Sequence, residues 1–367
     1  MIYLDHASYT QTDPAVLDEF CKIEREFSAN PLSAHDMGLK ARAKYDEIAT
    51  DIANLLGASS DEIIFTSGAT EANRTAIDNA VHCGRHKGKH IITNCLEHPS
   101  VSRPISLHKK NGCDIDMADI LPTGIIDIDH LKFLLRDDTV LITVPWVDSE
   151  LGVIQPLDEI AGIIKNYPNC HLHVDAAQAI GKIKNEIKFI GGIGSISISP
   201  HKFNGICGSG ILITRLHKNK PSDFFTGTPS LSLAAASRKT FELALQNASA
   251  RFEYVIKLRD YAADMLSKHP KIRINSPLHK NTCPYILNLS VNGMKGTETQ
   301  SALNHHGIYV SVKSACSSQG TPSRPVFAVG KDKKNAMNSF RVSFSHLTKS
   351  DEADEFVGAI IKIAENT

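Results

Sequence analysis

The sequence lacks any excess of charge of one sign. Its 367 residues carry 40 basic and 40 acidic side chains, which gives a formal net charge of zero. Proteins that bind nucleic acid directly usually present a basic face. The basic clusters at 84–90, 215–220 and 331–334 are short and separate, which is more typical of solvated turns. We therefore expect no direct contact with nucleic acid.

Long apolar runs are also missing. The first ten residues, MIYLDHASYT, contain Asp5 and no apolar stretch. Nothing later in the chain approaches the roughly 20 apolar residues that a membrane span needs. We therefore expect no signal peptide, no membrane association and a cytoplasmic location.

Paired cysteines and a dinucleotide fingerprint are absent as well. The eight cysteines include no C-x-x-C, and the Cys/His groups at 95–98 and 170–173 have no matching second pair of ligands. This spacing indicates reduced thiols and no metal site. No G-x-G-x-x-G follows the early strands, which argues against a dinucleotide-binding enzyme.

What the sequence does contain is a regular alternation of short apolar strands and helical stretches. This rhythm predicts an α/β fold with a mostly parallel central sheet and helices on both faces. Asp13-Pro14 predicts the start of a first helix, and Gly57 predicts the end of a second. The predicted strands lie at 62–66, 90–94, 140–144, 171–175, 195–199 and 209–214, and helices lie between them near 70–82, 99–110, 128–136 and 157–166.

The last third of the chain has a different pattern. A long helical stretch at about 230–268 precedes fewer strands, which predicts a smaller α+β domain. We assign residues 13–245 to the large domain, and residues 1–12 together with 246–367 to the small one.

Two strands of the predicted sheet end in residues that suit one cofactor. Asp175 ends the strand HLHVD, with Gln178 three residues later, and Lys202 follows the strand SISIS. Ligands in open α/β sheets bind at the carboxyl ends of strands. An aspartate facing a protonated ring nitrogen and a lysine that attacks a carbonyl are the equipment for pyridoxal phosphate (PLP).

A phosphate cradle is predicted by TSGATEAN at 66–73. Here a strand ends in small residues, and a helix begins near Ala69 and Thr70. The free N–H groups and the dipole of a helix N-terminus favour an anion. Ser199 and His201, beside the lysine, complete a coherent site.

Five motifs in order resemble those of the cysteine desulfurases, which are class V aminotransferases with the fold-type I architecture of PLP enzymes. The resemblance covers nearly the whole chain. It implies an α/β fold of that type, PLP as cofactor, L-cysteine as substrate, and a homodimer in the cytoplasm that feeds sulfur to an acceptor protein of the scaffold or tRNA-thiolation type. The motifs are TSGATEAN (66–73), LEHPSV (96–101), HVDAAQAIGK (173–182), SPHKFNG (199–205) and SACSS (314–318).

The same resemblance assigns roles to individual residues. It implies that Lys202 holds the cofactor as an imine and moves the Cα proton, while His98 stacks on the ring and shuttles protons. Asp175 would keep the ring nitrogen protonated, and Gln178 would bind the ring hydroxyl. The phosphate would be bound by Ala69, Thr70, Ser199 and His201, and the substrate carboxylate by Arg341.

Cys316 is implied to be the group that separates a desulfurase from an aminotransferase. Its thiolate would take the substrate sulfur as a persulfide and leave alanine. The surrounding KSACSSQGTPSR is rich in small, turn-forming residues, which predicts a loop that could carry the persulfide to an acceptor.

The chain also departs from the family pattern. A glycine-rich segment with an arginine is missing before Thr228, the residue implied to reach the phosphate of the neighbouring subunit. Trp146 and Asp148-Ser149 stand where a histidine and an Asn-Asn pair are usual, so Ser149 would replace an asparagine at the ring hydroxyl. LDHASYT departs from the usual Asn-Ala-Ala-Thr-Thr run, and Lys313 precedes the cysteine motif.

These departures leave two alternatives open at the level of sequence. One is a PLP-dependent C–S or selenocysteine lyase that does not need Cys316. The other is a paralogue that binds the cofactor but turns over poorly. Against the second, Lys202, Asp175, His98 and Arg341 are all retained.

Overall fold

The computed structural model describes residues 1–184, 191–216, 227–313 and 320–367. The strands in these ranges are β1 (Ile2–Tyr3), β2 (Ile63–Thr66), β3 (His90–Asn94), β4 (Asp114–Ala118), β5 (Thr139–Pro145), β6 (His171–Asp175), β7 (Ser195–Ile198), β8 (Gly210–Thr214), β9 (Ile272–Ile274), β10 (Ile286–Val291), β11 (Ile308–Tyr309) and β12 (Ser339–Ser343). The helices are α1 (Pro14–Glu26), α2 (Asp36–Leu56), α3 (Ala69–Gly84), α4 (Pro99–Lys110), α5 (Ile128–Leu134), α6 (Leu157–Ile164), α7 (Leu231–Ser267), α8 (Gly296–His305), α9 (Arg324–Gly330), α10 (Lys333–Asn338) and α11 (Ser350–Glu365).

A seven-stranded sheet forms the centre of the molecule, in the order β2-β8-β7-β6-β5-β3-β4. The strands from β7 to β4 pair in parallel, whereas β8 runs antiparallel to β7 and to β2. The predicted mostly parallel α/β sheet is therefore confirmed, with β8 as its antiparallel member.

Both faces of this sheet are covered by helices. Ile91 and Leu141 pack under α3 and α4, whereas their neighbours Ile92 and Ile142 belong to the large core on the opposite face. Successive residues of a strand point to opposite faces, so a run that is apolar at every position marks a strand buried on both sides. Every residue of β5 is indeed buried.

The predicted helix ends are confirmed. The Asp13 carboxylate accepts a hydrogen bond of 2.9 Å from the backbone N–H of Ala15 and so caps α1, whose first residue is Pro14. Helix α2 ends at Gly57, which has a φ of +67°. That left-handed conformation is one that glycine adopts at little cost.

The C-terminal part of the chain forms smaller sheets. β12, β10 and β9 make an antiparallel sheet, and β1 pairs in parallel with β11. The 37-residue helix α7 contacts α1 and α2 as well as β9 and α11, and so runs between the two parts. The domain boundary at residue 245 falls inside this helix, and the division into 13–245 and the remainder stays a prediction.

Among the helices of the described ranges, none has the length and apolarity needed to cross a bilayer.

Candidate active site

A cavity of about 280 Å³ opens where parallel strands of the central sheet end. Pro145, the last residue of β5, and Asp175, the last of β6, both line it. The sheet therefore brings together side chains that are far apart in sequence. Ten predicted site residues line this cavity: Ala69, Thr70, His98, Ser149, Asp175, Gln178, Ser199, His201, Lys202 and Arg341.

Asp175 is held by two hydrogen-bond donors at the end of β6. Its Oδ1 accepts from the backbone N–H of Ala177 at 3.0 Å, and its Oδ2 accepts from Nδ2 of Asn73 at 2.9 Å. The residue is only 8% exposed. Donors on both oxygens fix the plane of the carboxylate.

Lys202 ends a single helical turn, Pro200–Lys202, that follows β7. Its Nζ donates to the carbonyl oxygens of Ala7 at 2.9 Å and Ser8 at 2.6 Å. Gly205 lets the next loop fold back over this turn, because a Cβ there would lie 2.5 Å from Cβ of Pro200. Gly205 therefore allows the tight turn from which Lys202 reaches the lining of the cavity.

Gln178 is tied to the same N-terminal segment. Its Nε2 donates to the carbonyl oxygen of Ala7 at 2.8 Å, and its Oε1 accepts from Nζ of Lys182 at 2.7 Å. The carbonyl oxygen of Ala7 can only accept, so it fixes which end of the amide is the nitrogen. Burial lowers the pKa of Lys182 to about 7.

His98 caps the N-terminus of α4 with its own ring. Nδ1 accepts from the backbone N–H of Ser100 at 3.1 Å and lies 2.7 Å from the hydroxyl of the same serine. Burial lowers the pKa of His98 below its usual value. The ring is therefore neutral at physiological pH and can both give and take a proton.

The predicted phosphate cradle lies at the start of α3. Gly68, at the position before the helix, has no side chain with which to cap the first N–H groups. A Cβ on Gly210 would lie 2.5 Å from the backbone of Gly68, so β8 needs glycine at this point. Oγ of Ser199 lies 3.0 Å from Nδ1 of His201, and burial lowers the pKa of His201 to about 4. The site offers backbone and side-chain donors that suit a phosphate.

Arg341 is 1% exposed and faces the cavity from β12. Its Nη1 donates to the carbonyl oxygen of Ser149 at 2.8 Å. Its Nη2 donates to Oδ1 of Asp5 at 2.9 Å and to Oγ of Ser8 at 2.7 Å. The guanidinium therefore faces the cavity and not the solvent.

Among the predicted site residues that the structure describes, Thr228 is the one that does not line this cavity. Thr228 lines a separate groove near α2, where its Oγ1 lies 3.5 Å from Nδ2 of Asn30. Cys316 lies outside the described residues. On either side of that segment, Nζ of Lys313 donates to the carbonyl oxygen of Thr321 at 2.6 Å.

Sequence reasoning missed several residues at the site. Ser8 and Asp5 hold Arg341, and Asn73 and Ser100 lie behind Asp175 and His98. Only Asn73 and Ser100 fall within recognised motifs.

The chemistry of the cavity fits PLP. A helix N-terminus with Ser199 and His201 suits the phosphate, the Asp175 carboxylate suits a protonated ring nitrogen, and the Lys202 amine suits the aldehyde. These groups stand on different elements of one cavity, so a single ligand can contact them together.

Comparison with known proteins agrees with this reading. The family described as aminotransferase class V matches residues 2–220 and 216–356. A "NifS/IcsS protein homolog" of Lactobacillus delbrueckii subsp. bulgaricus is 32% identical, with 100% of this chain and 98% of the relative covered. "Cysteine desulfurase IscS" of Dictyoglomus turgidum is also 32% identical, with 99% of this chain and 94% of the relative covered.

Solved structures show the same fold. A "NifS-like protein" superposes with a TM-score of 0.91 at 27% identity, covering 100% of both chains. "SspA in complex with cysteine" superposes with a TM-score of 0.77 at 26% identity, covering 95% of this chain and 100% of that one. The fold-type I architecture is thereby confirmed. The chain belongs to the class V aminotransferase family and, within it, to the cysteine desulfurases.

Proposed function

We propose that this chain is a PLP-dependent cysteine desulfurase that converts L-cysteine to L-alanine and passes the sulfur on through Cys316. One observation carries the proposal. A single cavity contains a lysine amine, a buried carboxylate and a buried guanidinium, from Lys202, Asp175 and Arg341. These are the groups needed to anchor the cofactor, to keep its ring protonated and to bind an amino-acid carboxylate.

The cofactor would be held by residues of the large sheet. Ala69, Thr70, Ser199 and His201 are proposed to bind its phosphate, with Asp175 at the ring nitrogen. The side-chain amide of Gln178, and the hydroxyl of Ser149 in place of a longer asparagine, are proposed to lie at the ring hydroxyl. When bound, PLP supplies an electron sink for the substrate Cα.

Proton transfer is assigned to Lys202 and His98. The amine of Lys202 is proposed to take the proton from the substrate Cα. The neutral ring of His98 lines the same cavity and would carry a proton toward the substrate. Arg341 would hold the carboxylate so that the reacting bonds stay in place.

The sulfur step is assigned to the thiolate of Cys316. The C–S bond of the substrate breaks, an S–S bond to Sγ of Cys316 forms, and Cβ gains a proton, so that alanine leaves. Cys316 is five residues from Ser311, whose backbone pairs with that of Arg341. Five residues span at most about 17 Å, a length compatible with reaching the cavity from that point.

The partners follow from the same proposal. The persulfide would pass to an acceptor protein, of the scaffold or tRNA-thiolation type. Thr228 lies in a groove apart from the cavity of its own chain, which supports the proposal that it serves the phosphate site of a second copy in a homodimer. Sedimentation at micromolar concentration tests this state, and a monomer would contradict it.

Alanine production from L-cysteine, with PLP and a thiol reductant, tests the function. Cys316→Ser should abolish turnover, while Cys21→Ser, which changes an exposed thiol on α1, should leave it intact. Alanine that survives Cys316→Ser would indicate a lyase. A native protein that binds PLP but makes no alanine would contradict the proposed activity.

A further inference from the structure

A buried asparagine joins two residues of the cavity from behind. Asn73 lies in α3, is fully buried, and is not among the residues that line the cavity. Its Nδ2 donates to Oδ2 of Asp175 at 2.9 Å and to Oγ of Ser100 at 2.8 Å. That serine in turn contacts His98. One amide group therefore connects the carboxylate of Asp175 with the imidazole of His98.

The direction of these hydrogen bonds fixes the tautomer of His98. The backbone N–H of Ser100 can only donate, so Nδ1 of His98, 3.1 Å away, is an acceptor. The hydroxyl of Ser100, which accepts from Asn73, then directs its own hydrogen to the same nitrogen, 2.7 Å away. A nitrogen that accepts two hydrogen bonds carries no proton, so the neutral ring has its proton on Nε2.

The orientation of the Asn73 amide is itself determined. Its Oδ1 lies 2.8 Å from Nε2 of His173, which must donate because an amide oxygen only accepts. Nδ1 of His173 then accepts from Oγ of Ser195 at 2.8 Å, and that oxygen accepts from Nε2 of His171 at 2.8 Å. Burial lowers the pKa of both histidines to about 3, so each ring is neutral with one N–H.

A flipped Asn73 amide would turn its oxygen toward Oδ2 of Asp175 and place two acceptors against each other, so the carboxylate fixes the orientation of the amide. The hydrogen bonds thus form one continuous directed chain, and each donor in it meets an acceptor. Buried networks in which every member is satisfied specify a single arrangement of their side chains.

We propose that Asn73 is a positioning residue of the reaction, which holds Asp175 and His98 in register with each other and keeps the His98 proton on Nε2. Only the expected effect of Asn73 on turnover rests on the proposed desulfurase function. The tautomer is a property of the chain without cofactor.

The tautomer is measured first, in the apoprotein. A long-range ¹H–¹⁵N spectrum of protein with ¹⁵N-labelled histidine reports which ring nitrogen carries the proton, and His98→Gln identifies the signal. Asn73→Leu removes the donor that orients the Ser100 hydroxyl, so this hydroxyl is no longer held toward Nδ1 and the share of the Nδ1–H form of His98 should rise. Asn335→Leu, which removes another buried side-chain amide in α10, should leave the signal unchanged. An unchanged signal in Asn73→Leu would overturn the proposal.

Activity and the cofactor spectrum are measured next, in the holoenzyme. Loss of hydrogen bonds to a charged group predicts a drop in kcat of about ten- to a hundredfold in Asn73→Leu, with KM for cysteine little changed. The absorbance band of bound PLP should shift, because Asp175 loses a donor. An unchanged kcat and spectrum would refute the catalytic part.

A second pair of variants covers the case in which Asn73→Leu does not fold. His173→Gln retains a donor for Asn73 and an acceptor for Ser195, whereas His173→Leu retains neither. The glutamine variant should keep the tautomer and kcat, and the leucine variant should lose both. Equal behaviour of the two variants would overturn the proposal. If the native enzyme makes no alanine, the proposed function fails while the tautomer result still stands.

Discussion

Replacing Lys182 with methionine should stabilise the apoprotein at neutral pH, and the gain should vanish as the pH rises. Lys182 is 3% exposed, and its Nζ donates to Oε1 of Gln178. Burial lowers the pKa of Lys182 to about 7 from 10.5, and the positive charges of Lys202 and Arg341 act in the same direction. The folded protein therefore holds this amine neutral over much of the range in which the unfolded chain protonates it.

The magnitude follows from proton linkage. Between about pH 7 and 10.5 the unfolded chain binds one more proton at Lys182 than the folded protein does. The free energy of unfolding therefore rises by about 1.4 kcal/mol per pH unit. The destabilisation due to this lysine is fully present below pH 7, on the order of 4 kcal/mol at pH 7.5 and about 1.4 kcal/mol at pH 9.5. Loss of the hydrogen bond to Gln178 reduces the stability gained by Lys182→Met by about 1 kcal/mol at both pH values.

Urea unfolding of the apoprotein at pH 7.5 and 9.5 measures this effect. The stability gained by Lys182→Met should shrink by about 2 to 3 kcal/mol between the two conditions. Lys184→Met is the matched control, because Lys184 is exposed and pairs with Glu253 on the surface. Its effect should be the same at both pH values. If the free energies of unfolding of Lys182→Met and the native protein differ by the same amount at pH 7.5 and 9.5, the reasoning is refuted.

Three further predictions concern the site and the fold. Ser8→Ala frees one hydrogen on Nη2 of Arg341 for the substrate, so KM for cysteine should fall roughly three- to tenfold in steady-state assays. Gly210→Ala places a Cβ 2.5 Å from the backbone of Gly68, so absorbance titration should show weaker PLP binding and urea unfolding a loss of about 1–3 kcal/mol. Asp13→Ala removes the cap of α1 and should cost about 1 kcal/mol in urea unfolding, with unchanged turnover.

The strands of the central sheet could be predicted because they are buried on both faces. β3 and β6 begin and end where the apolar pattern placed them. β4 was missed because it is the edge strand DIDMA, in which aspartates alternate with apolar residues and most positions are not buried. Charged residues on an edge strand prevent pairing with other chains, and they also remove the apolar signal.

The residues of the site also fall into two groups, those that a local motif predicts and those that it does not. Lys202, Asp175 and His98 were predicted because each lies in a local motif. Asp5 and Ser8 were not, because their role at Arg341 depends on contacts between residues more than 330 positions apart. A spacing pattern along the sequence carries no information about which distant segment will cover a strand end.

The departure at Asp148-Ser149 also has a physical account in the structure. The buried carboxylate of Asp148 accepts from the backbone N–H groups of Glu150 and Leu151, and so fixes a tight turn. That turn presents the carbonyl oxygen of Ser149 to Nη1 of Arg341. Desolvation raises the pKa of Asp148 to about 7, but the backbone donors and the positive charge of Arg341 oppose this shift. Asp148 and Ser149 therefore support Arg341 through the backbone, a contact that does not depend on the length of the side chain at residue 149.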